Sequence, residues 1–263
     1  MNNTNLAGSN SPASPHEPNE PNPYAVPVEV SPPLPTTGIT HSQHTFIIQD
    51  GLVNASRWAW YAVAALTIAT AAVIAYTLTF VGFDYDDPNL RTTDFILIGA
   101  AGAVSIATIV AIILTIIWMF RAVRNTEVLR SGLVGFPNLS IGPVLSIFGW
   151  LIPIMNLFVP FMAAKQNVLT AKAILNNQRY EAIDTPGWLS VWWAFWLGSR
   201  FALSIENRIT FLDLEISPGV ELVINLFSTI MTVAACVWIV KVMQRTTQLQ
   251  NDADRHRRSP PTT

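Results

Sequence analysis

The chain has 263 residues, of which 51% are hydrophobic and 12% are charged. This charged fraction is about half of the ~25% usual in soluble domains, and the apolar residues are gathered into long runs nearly free of charge. The composition therefore excludes an ordinary soluble domain and predicts an all-α, polytopic helical membrane protein.

The N-terminal 44 residues are rich in Pro, Asn, Ser and Thr, and they predict a disordered cytoplasmic tail. Four prolines spaced by three would lie along one edge of a polyproline II helix, and this spacing is typical of sites for proline-motif-binding partners. A semi-extended tail without a dedicated partner is the preferred interpretation, and a docking strip is the alternative. These prolines are Pro12, Pro15, Pro18 and Pro21.

A helical membrane domain is predicted over residues 45–245, with four spans at about 58–80, 95–120, 188–208 and 220–240. In each of the first two spans, small residues recur at helical spacing. Such stripes predict close packing between these spans or across a homo-oligomer. The stripes are Ala62, Ala65, Ala69 and Ala72 in the first span, and Gly99, Ala103, Ala107 and Ala111 in the second.

An apolar segment broken by proline, residues 143–164, lies between the second and third spans. Pro153 and Pro160 would each interrupt a helix, because proline lacks an N–H donor and clashes with the carbonyl four residues back. Asn156, between them, is predicted to hold the turn together. Each arm has about ten residues and would reach only ~15 Å as a helix, half of the hydrocarbon core. The segment is therefore predicted to re-enter; a kinked fifth span is the alternative.

The distribution of Lys and Arg also favours re-entry. With both termini cytoplasmic, a re-entrant segment puts twelve of the fifteen basic residues inside and two outside, with Arg200 in the membrane. A crossing segment gives nine inside against five outside. We therefore predict a multi-pass membrane protein with both termini in the cytoplasm and with residues 246–263 as a basic, disordered cytoplasmic tail.

Three stretches resemble the domain-of-unknown-function 4328 family of bacterial multi-span membrane proteins. They read "WMFRAVRN" (118–125), "GWLIPIMNLFVP" (149–160) and "GWLSVWWAFWL" (187–197). The specific part is the central element, a Trp followed by IPI-NL and a Pro. The resemblance implies a multi-span architecture and no particular activity.

Arg200 is the costliest residue to place in a membrane. It would lie about 18 Å from the inner surface, where an unpaired guanidinium costs at least ~2.5–3.5 kcal/mol. An ion pair with Glu221 is the preferred interpretation, with Asn225 at similar depth. The alternatives are a pair with Glu206, snorkelling to the outer headgroups, or a binding or gating role.

Three tryptophans, Trp188, Trp192 and Trp196, recur every four residues along one face of the third span. Trp188 suits an interfacial belt. The two deeper tryptophans are predicted to cover the proline-broken segment, or alternatively to recognise a lipid or another hydrophobic ligand. The aromatic residues that they would cover are Trp150, Phe158 and Phe161.

The stretch after Pro160 predicts an amphipathic helix lying on the inner leaflet. Its apolar face would contain Phe161, Ala164, Val168, Ala171 and Leu175, and its basic residues would be Lys165, Lys172 and Arg179.

Catalytic signatures are missing from the sequence: it has no HExxH, no phosphate-binding loop and no GxSxG. We predict no cofactor and no metal site, and the five basic residues near the C-terminus are too few to indicate nucleic-acid binding. The expected role is non-enzymatic, in binding a partner or organising a membrane complex. The alternative is a small transporter or channel that uses the re-entrant segment, alone or as an oligomer.

Overall fold

A computed structural model of the chain describes residues 45–81, 88–131, 141–212 and 217–259. The predicted tail, 1–44, with its proline strip, lies outside the described residues. Within them the regular structure is helical and contains no strand, which confirms the all-α class.

Six α-helices make up the described residues, joined in places by short π- or 3₁₀-helical turns. They are α1 (Asp50–Tyr76), α2 (Pro88–Arg130), α3 (Pro143–Leu151), α4 (Val159–Asn176), α5 (Gly187–Phe211) and α6 (Pro218–Arg258). The short turns are Thr77–Val81, Met155–Leu157 and Tyr180–Ala182.

Three helices are long and apolar enough to cross a membrane: Asp50–Phe80, Phe95–Arg130 and Pro218–Arg258. They contain the first, second and fourth predicted spans. The third predicted span, 188–208, lies in α5, which has 25 residues. This helix has no stretch as apolar as those in the other three, since four tryptophans and Arg200 interrupt it.

Prolines end and begin helices where the sequence predicts a break. Pro143 and Pro160 occupy the first turns of α3 and α4, where the missing N–H has no intrahelical partner to lose. Ile152, which precedes Pro153, has extended backbone angles (φ −92°, ψ 120°), and α3 stops there. The break between α3 and α4 is thus present, with Asn156 in its 3₁₀ turn.

The two arms of residues 143–164, called the hairpin below, run antiparallel. The backbone N–H of Ile141 donates to Oε1 of Gln166 (3.2 Å), and Nε2 of Gln166 donates to the Ile141 carbonyl (2.9 Å). Near the turn, a Cβ added to Gly149 would lie within 2.5 Å of the Val159 Cβ. Only glycine allows the arms to approach so closely.

The inner-leaflet position predicted for α4 is wrong. This helix packs against α2 and α6, and most of its residues are buried. Gln166 and Asn167, which would face water on a surface helix, are instead buried and hydrogen-bonded. Their side chains find partners inside the protein, so the polar face of α4 also belongs to the interior.

The disordered tail predicted from residue 246 is also wrong as far as residue 258, because α6 continues to Arg258. Thr246, Gln250 and Ala253 are buried along this extension. Arg257 binds the end of α2: its Nη1 donates to the carbonyls of Val128 and Leu129, both at 2.8 Å. The guanidinium thus caps the C-terminal carbonyls of α2, one of which, that of Val128, also accepts from the Ser131 hydroxyl at 2.7 Å.

These contacts define a second region of the protein, called the basic-end bundle below. It consists of residues 45–57, 121–131, 165–179 and 241–258, and its small core contains Leu129, Ala171, Ile174 and Ala253. All twelve basic residues assigned to the inner side lie within these ranges.

The small-residue stripes have different surroundings. In α2, Ala107 and Ala111 pack in the core, whereas Gly99 and Ala103 are exposed. The α1 stripe is exposed throughout, so its predicted packing on α2 is wrong. The buried face of α1 contains Trp60 and Val63 instead. On this face the indole N–H of Trp60 donates to the hydroxyl of Thr115 on α2.

Candidate functional site

An aromatic cluster joins α1, the hairpin and α5. The ring centroids of Trp150 and Trp196 lie 5.3 Å apart at 75°, and those of Trp60 and Trp196 lie 6.5 Å apart at 86°. Both are edge-to-face arrangements, which aromatic pairs favour. Trp196 is therefore the residue through which the three elements meet.

The predicted cover of the hairpin is right in part. Trp196 packs on Trp150, and Phe161 packs on Trp193 with ring centroids 5.7 Å apart. Phe158 is 60% exposed and is not covered, which corrects the prediction for this residue. Trp192 is buried and packs beside Trp193.

Three buried polar atoms on the hairpin and on α5 have no protein partner among the described residues. Trp60 donates its indole N–H to Oγ1 of Thr115 at 2.9 Å. By contrast, Nε1 of Trp150, Nε1 of Trp192 and Oδ1 of Asn156 are buried and have no hydrogen-bond partner in the described part of the chain. Buried polar groups are almost always satisfied, by protein or by water, so these three atoms are candidate contacts for a polar guest. Unpartnered buried polar atoms also occur in the basic-end bundle, for example at Gln49 and Thr170.

Arg200 is held by an aromatic ring. Its Cζ lies 4.3 Å from the centroid of Trp196, and it forms no ion pair with Glu221, which corrects the preferred prediction. Helical side chains point toward the N-terminus, so Arg200 reaches the residue one turn earlier rather than a carboxylate on another helix. Glu206, the alternative partner, has a hydrogen bond with Ser228 of α6.

The two predicted neighbours of Arg200 on α6 lie near the start of that helix. Glu221 belongs to its first turn and is half-buried. Asn225, one turn further, has a buried Oδ1 that no described residue bonds. The structure thus places both at the far end of α6 from the basic-end bundle and does not bring them to the aromatic cluster.

A buried polar network crosses the basic-end bundle. Oγ1 of Thr126 donates to Oδ1 of Asn167 at 2.7 Å and accepts from Nε2 of Gln250 at 2.9 Å. Trp118 donates its indole N–H to Thr247 at 3.0 Å, which joins α2 to α6. Sequence reasoning missed this network. The only available signal was the spacing of Thr246, Gln250 and Ala253 beyond the last apolar run.

Cations stack on aromatic rings at the junction between the apolar helices and the basic-end bundle. The Trp188 ring lies 5.5 Å from Cζ of Arg245. We call these contacts the cation–aromatic girdle. Its pairs are Arg57 with Trp58, Arg124 with Phe120, Lys241 with Trp238, and Arg245 with Trp188.

Together these features define the class: an all-α protein with helices that can cross a membrane, a proline-broken hairpin and an aromatic cluster at its tip. The chain belongs to the family described as domain of unknown function (DUF4328), whose model matches residues 82–215, half of the chain. This match confirms the resemblance carried by the three stretches. No curated protein and no solved structure is detectably similar to the chain.

Proposed function

We propose that the chain is a bacterial cytoplasmic membrane protein with four spans, a re-entrant hairpin and both termini in the cytoplasm. Its role is non-enzymatic: it binds a partner or organises a membrane complex. The basic-end bundle would be the part that the partner meets, and the N-terminal proline strip would be a second contact.

Re-entry of the hairpin is supported by the pairing of Ile141 with Gln166. A segment that crossed the bilayer would separate its flanks by ~30 Å. Here the flanks of residues 143–164 are joined by two hydrogen bonds, at 3.2 and 2.9 Å. The outer side of the hairpin is apolar and exposed, as at Leu151 and Ile154, and this suits contact with lipid tails.

The cation–aromatic girdle supports a membrane boundary at the same junction. Tryptophans concentrate at membrane–water interfaces, where long basic side chains also place their charges in the headgroup layer. Trp58 of α1 and Trp188 of α5 each carry an Arg against the ring. This boundary leaves the hairpin tip on the membrane side and the bundle in the cytoplasm.

The observation that carries the partner-binding role is the basic-end bundle itself. With 43 and 41 residues, α2 and α6 are about twice the ~20 residues needed for one crossing. Their extensions enclose α4 around a hydrogen-bonded core, so the surface is preformed. A polar groove of about 390 Å³ between α1 and α6 opens on it, lined among others by Asn54, Arg57, Gln248 and Asn251.

A transporter or channel is the second candidate. The two unpartnered polar atoms at the hairpin break, Nε1 of Trp150 and Oδ1 of Asn156, favour it, because broken helices in transporters place polar groups at a substrate site. Against it stands the close packing of Gly149 on Val159, which leaves no passage between the arms.

A homo-oligomer through Gly99, Ala103, Ala107 and Ala111 remains part of the proposal. Ala107 and Ala111 already pack inside the protein. Gly99 and Ala103 are exposed and would form the contact, since small residues allow helices in lipid to approach closely.

The accessibility of the hairpin break to water distinguishes these roles. In a Cys236→Ser background, we expect Asn156→Cys to react with a membrane-impermeant thiol reagent about a hundredfold more slowly than Gln178→Cys, because the reactive thiolate forms only in water. Gln178 is exposed beyond the end of α4 and serves as the positive control. The lipid-facing control is Ile154→Cys, which is also expected to be slow.

Fast labelling of Asn156→Cys with slow labelling of Ile154→Cys would contradict a closed hairpin and favour conduction. The partner-binding role also predicts a protein that co-purifies with the full chain and is lost when residues 1–44 are removed. A chain that purifies with the same composition with and without the tail would argue against a partner at the proline strip.

A further inference from the structure

A shallow, open depression of about 440 Å³, called the groove below, lies on the face of α5 beside Arg200. Its lining residues are spaced so that they fall on one side of the helix. Two guanidinium groups, a hydroxyl and a carboxamide contribute to it, and none of the lining residues is acidic. The lining residues are Arg200, Leu203, Ser204, Asn207 and Arg208.

The deepest charge in this groove has donor capacity left over. The guanidinium of Arg200 rests on the Trp196 ring, and its Nε is buried with no hydrogen-bond partner among the described residues. A cation inside a membrane is expected to be paired or to mark a ligand pathway. The ring partly compensates the positive charge of Arg200 but accepts no hydrogen bond from its Nε.

The rim of the groove is suited to a phosphate. Arg208 is exposed near the end of α5, and a guanidinium donates to two phosphate oxygens at once. Because helical side chains point toward the N-terminus, Arg208 is directed back over Ser204. The hydroxyl of Ser204 and the amide of Asn207 add neutral donors at the same level.

We propose that this groove binds the phosphate of an anionic phospholipid in the outer leaflet. The inference rests on the proposal that α5 crosses the membrane. The ligand is then a lipid rather than free phosphate, because the groove descends about 12 Å from Arg208 to Arg200 into the apolar layer. Phe201 and Leu203, both exposed on α5, flank it with the apolar surface that an acyl chain needs.

The test uses the purified full chain in a mild non-ionic detergent, titrated with phosphatidylglycerol and followed by native mass spectrometry. Arg208→Gln is expected to weaken binding at the saturable site about tenfold, and Arg200→Gln with Arg208→Gln about a hundredfold, since each removes one charge-assisted contact. The matched control is Arg255→Gln, an exposed arginine at the other end of the molecule, which should leave this affinity unchanged.

Because Arg208 is exposed, its single variant is expected to fold even if the double variant does not. Unchanged phosphatidylglycerol affinity in folded Arg208→Gln would overturn the proposal. Equal affinity for zwitterionic phosphatidylcholine would show that net negative charge is not recognised. Displacement of the lipid by millimolar inorganic phosphate would identify a free-anion site instead. Each of these three outcomes is compatible with the proposed topology of the chain. Failure of the lipid-binding proposal can therefore be distinguished from failure of the proposed function.

Discussion

Replacing Trp196 with alanine is expected to lower the free energy of unfolding by about 3–5 kcal/mol, at the upper end for a core aromatic residue. The residue is 3% exposed and contacts Trp60, Trp150 and Arg200. Two edge-to-face pairs contribute ~0.5–1.5 kcal/mol each beyond burial, and a desolvated cation–π contact contributes ~2 kcal/mol. Reversible unfolding in detergent, followed by near-ultraviolet circular dichroism, measures the change.

The matched control is Trp58→Ala, a tryptophan on α1 that is 62% exposed and also holds an arginine against its ring. An exposed cation–π contact is worth only ~0.5–1 kcal/mol, so this variant should lose no more than about that amount. If Trp58→Ala and Trp196→Ala lower the free energy of unfolding by similar amounts, Trp196 does not join α1, the hairpin and α5 in the way proposed.

The same unfolding measurement separates the packing of the Trp196 ring on other aromatic rings from its cation–π contact with Arg200. Arg200→Leu alone should be slightly stabilising, by ~0.5–1.5 kcal/mol, because it removes a charge that costs ~2.5–3.5 kcal/mol and a contact that returns ~2 kcal/mol. Combined with Trp196→Ala, it should reduce the loss below the sum of the two single effects by about 2 kcal/mol. Strict additivity would mean that the ring does not support the guanidinium.

Replacing Gly149 with alanine is expected to cost about 1–3 kcal/mol, the usual range for overpacking a tight contact. Its new Cβ would fall on the Cβ and Cγ1 of Val159, which is β-branched and close to its own backbone. The gain in helix propensity from Gly to Ala, about 1 kcal/mol, is too small to offset the clash. Thermal unfolding of the purified variant gives the size of the loss.

Two further variants identify the cause. Gly51→Ala, in an open position of α1 with nothing within 4 Å of the added Cβ, should be neutral or slightly stabilising. Val159→Ala removes Cγ1, the atom closest to the new Cβ, but keeps its own Cβ at 2.5 Å. Adding it to Gly149→Ala should therefore recover only part of the lost stability. If Gly149→Ala is as stable as the native chain, Gly149 and Val159 do not pack as closely as the 2.5 Å between the added Cβ and the Val159 Cβ requires.

Local rules predicted the hairpin well. The break at Pro153 and the start of α4 at Pro160 follow from the missing donor and from the restricted backbone of the residue before a proline. The spacing of Trp192 and Trp196 likewise indicated a buried face toward the hairpin. Such features depend on residues a few positions apart, which a single sequence displays directly.

The burial of α4 and of the α6 extension was not predictable in the same way. Gln166, Asn167 and Gln250 have the polarity of a solvated face, and amphipathic spacing does not distinguish such a face from a satisfied internal network. The hydrogen-bond partners of these side chains distinguish a solvated face from an internal network. The partner of Gln166 is Ile141 and that of Gln250 is Thr126, and both partners are distant along the chain. The sequence therefore indicated a surface helix and a tail where the protein has a bundle.

The error at Arg200 has a different origin. A buried cation was matched to a carboxylate, Glu221, from expected depth alone. The geometry of the helix favours the residue four positions earlier, and that residue is Trp196, whose ring face attracts a cation. The i, i−4 relation between Trp196 and Arg200 was visible in the sequence and would have pointed to this contact.

The measurement that tests the account most directly is two-sided cysteine labelling across the hairpin, in a Cys236→Ser background. Single cysteines at Ser131 and Gln178 flank the hairpin at exposed positions, and a third at Ser217 reports the start of α6. The account predicts that positions 131 and 178 react only from the cytoplasmic side and position 217 only from the outside. Labelling of 131 and 178 from opposite sides would show that the hairpin crosses the bilayer and would contradict the re-entrant fold.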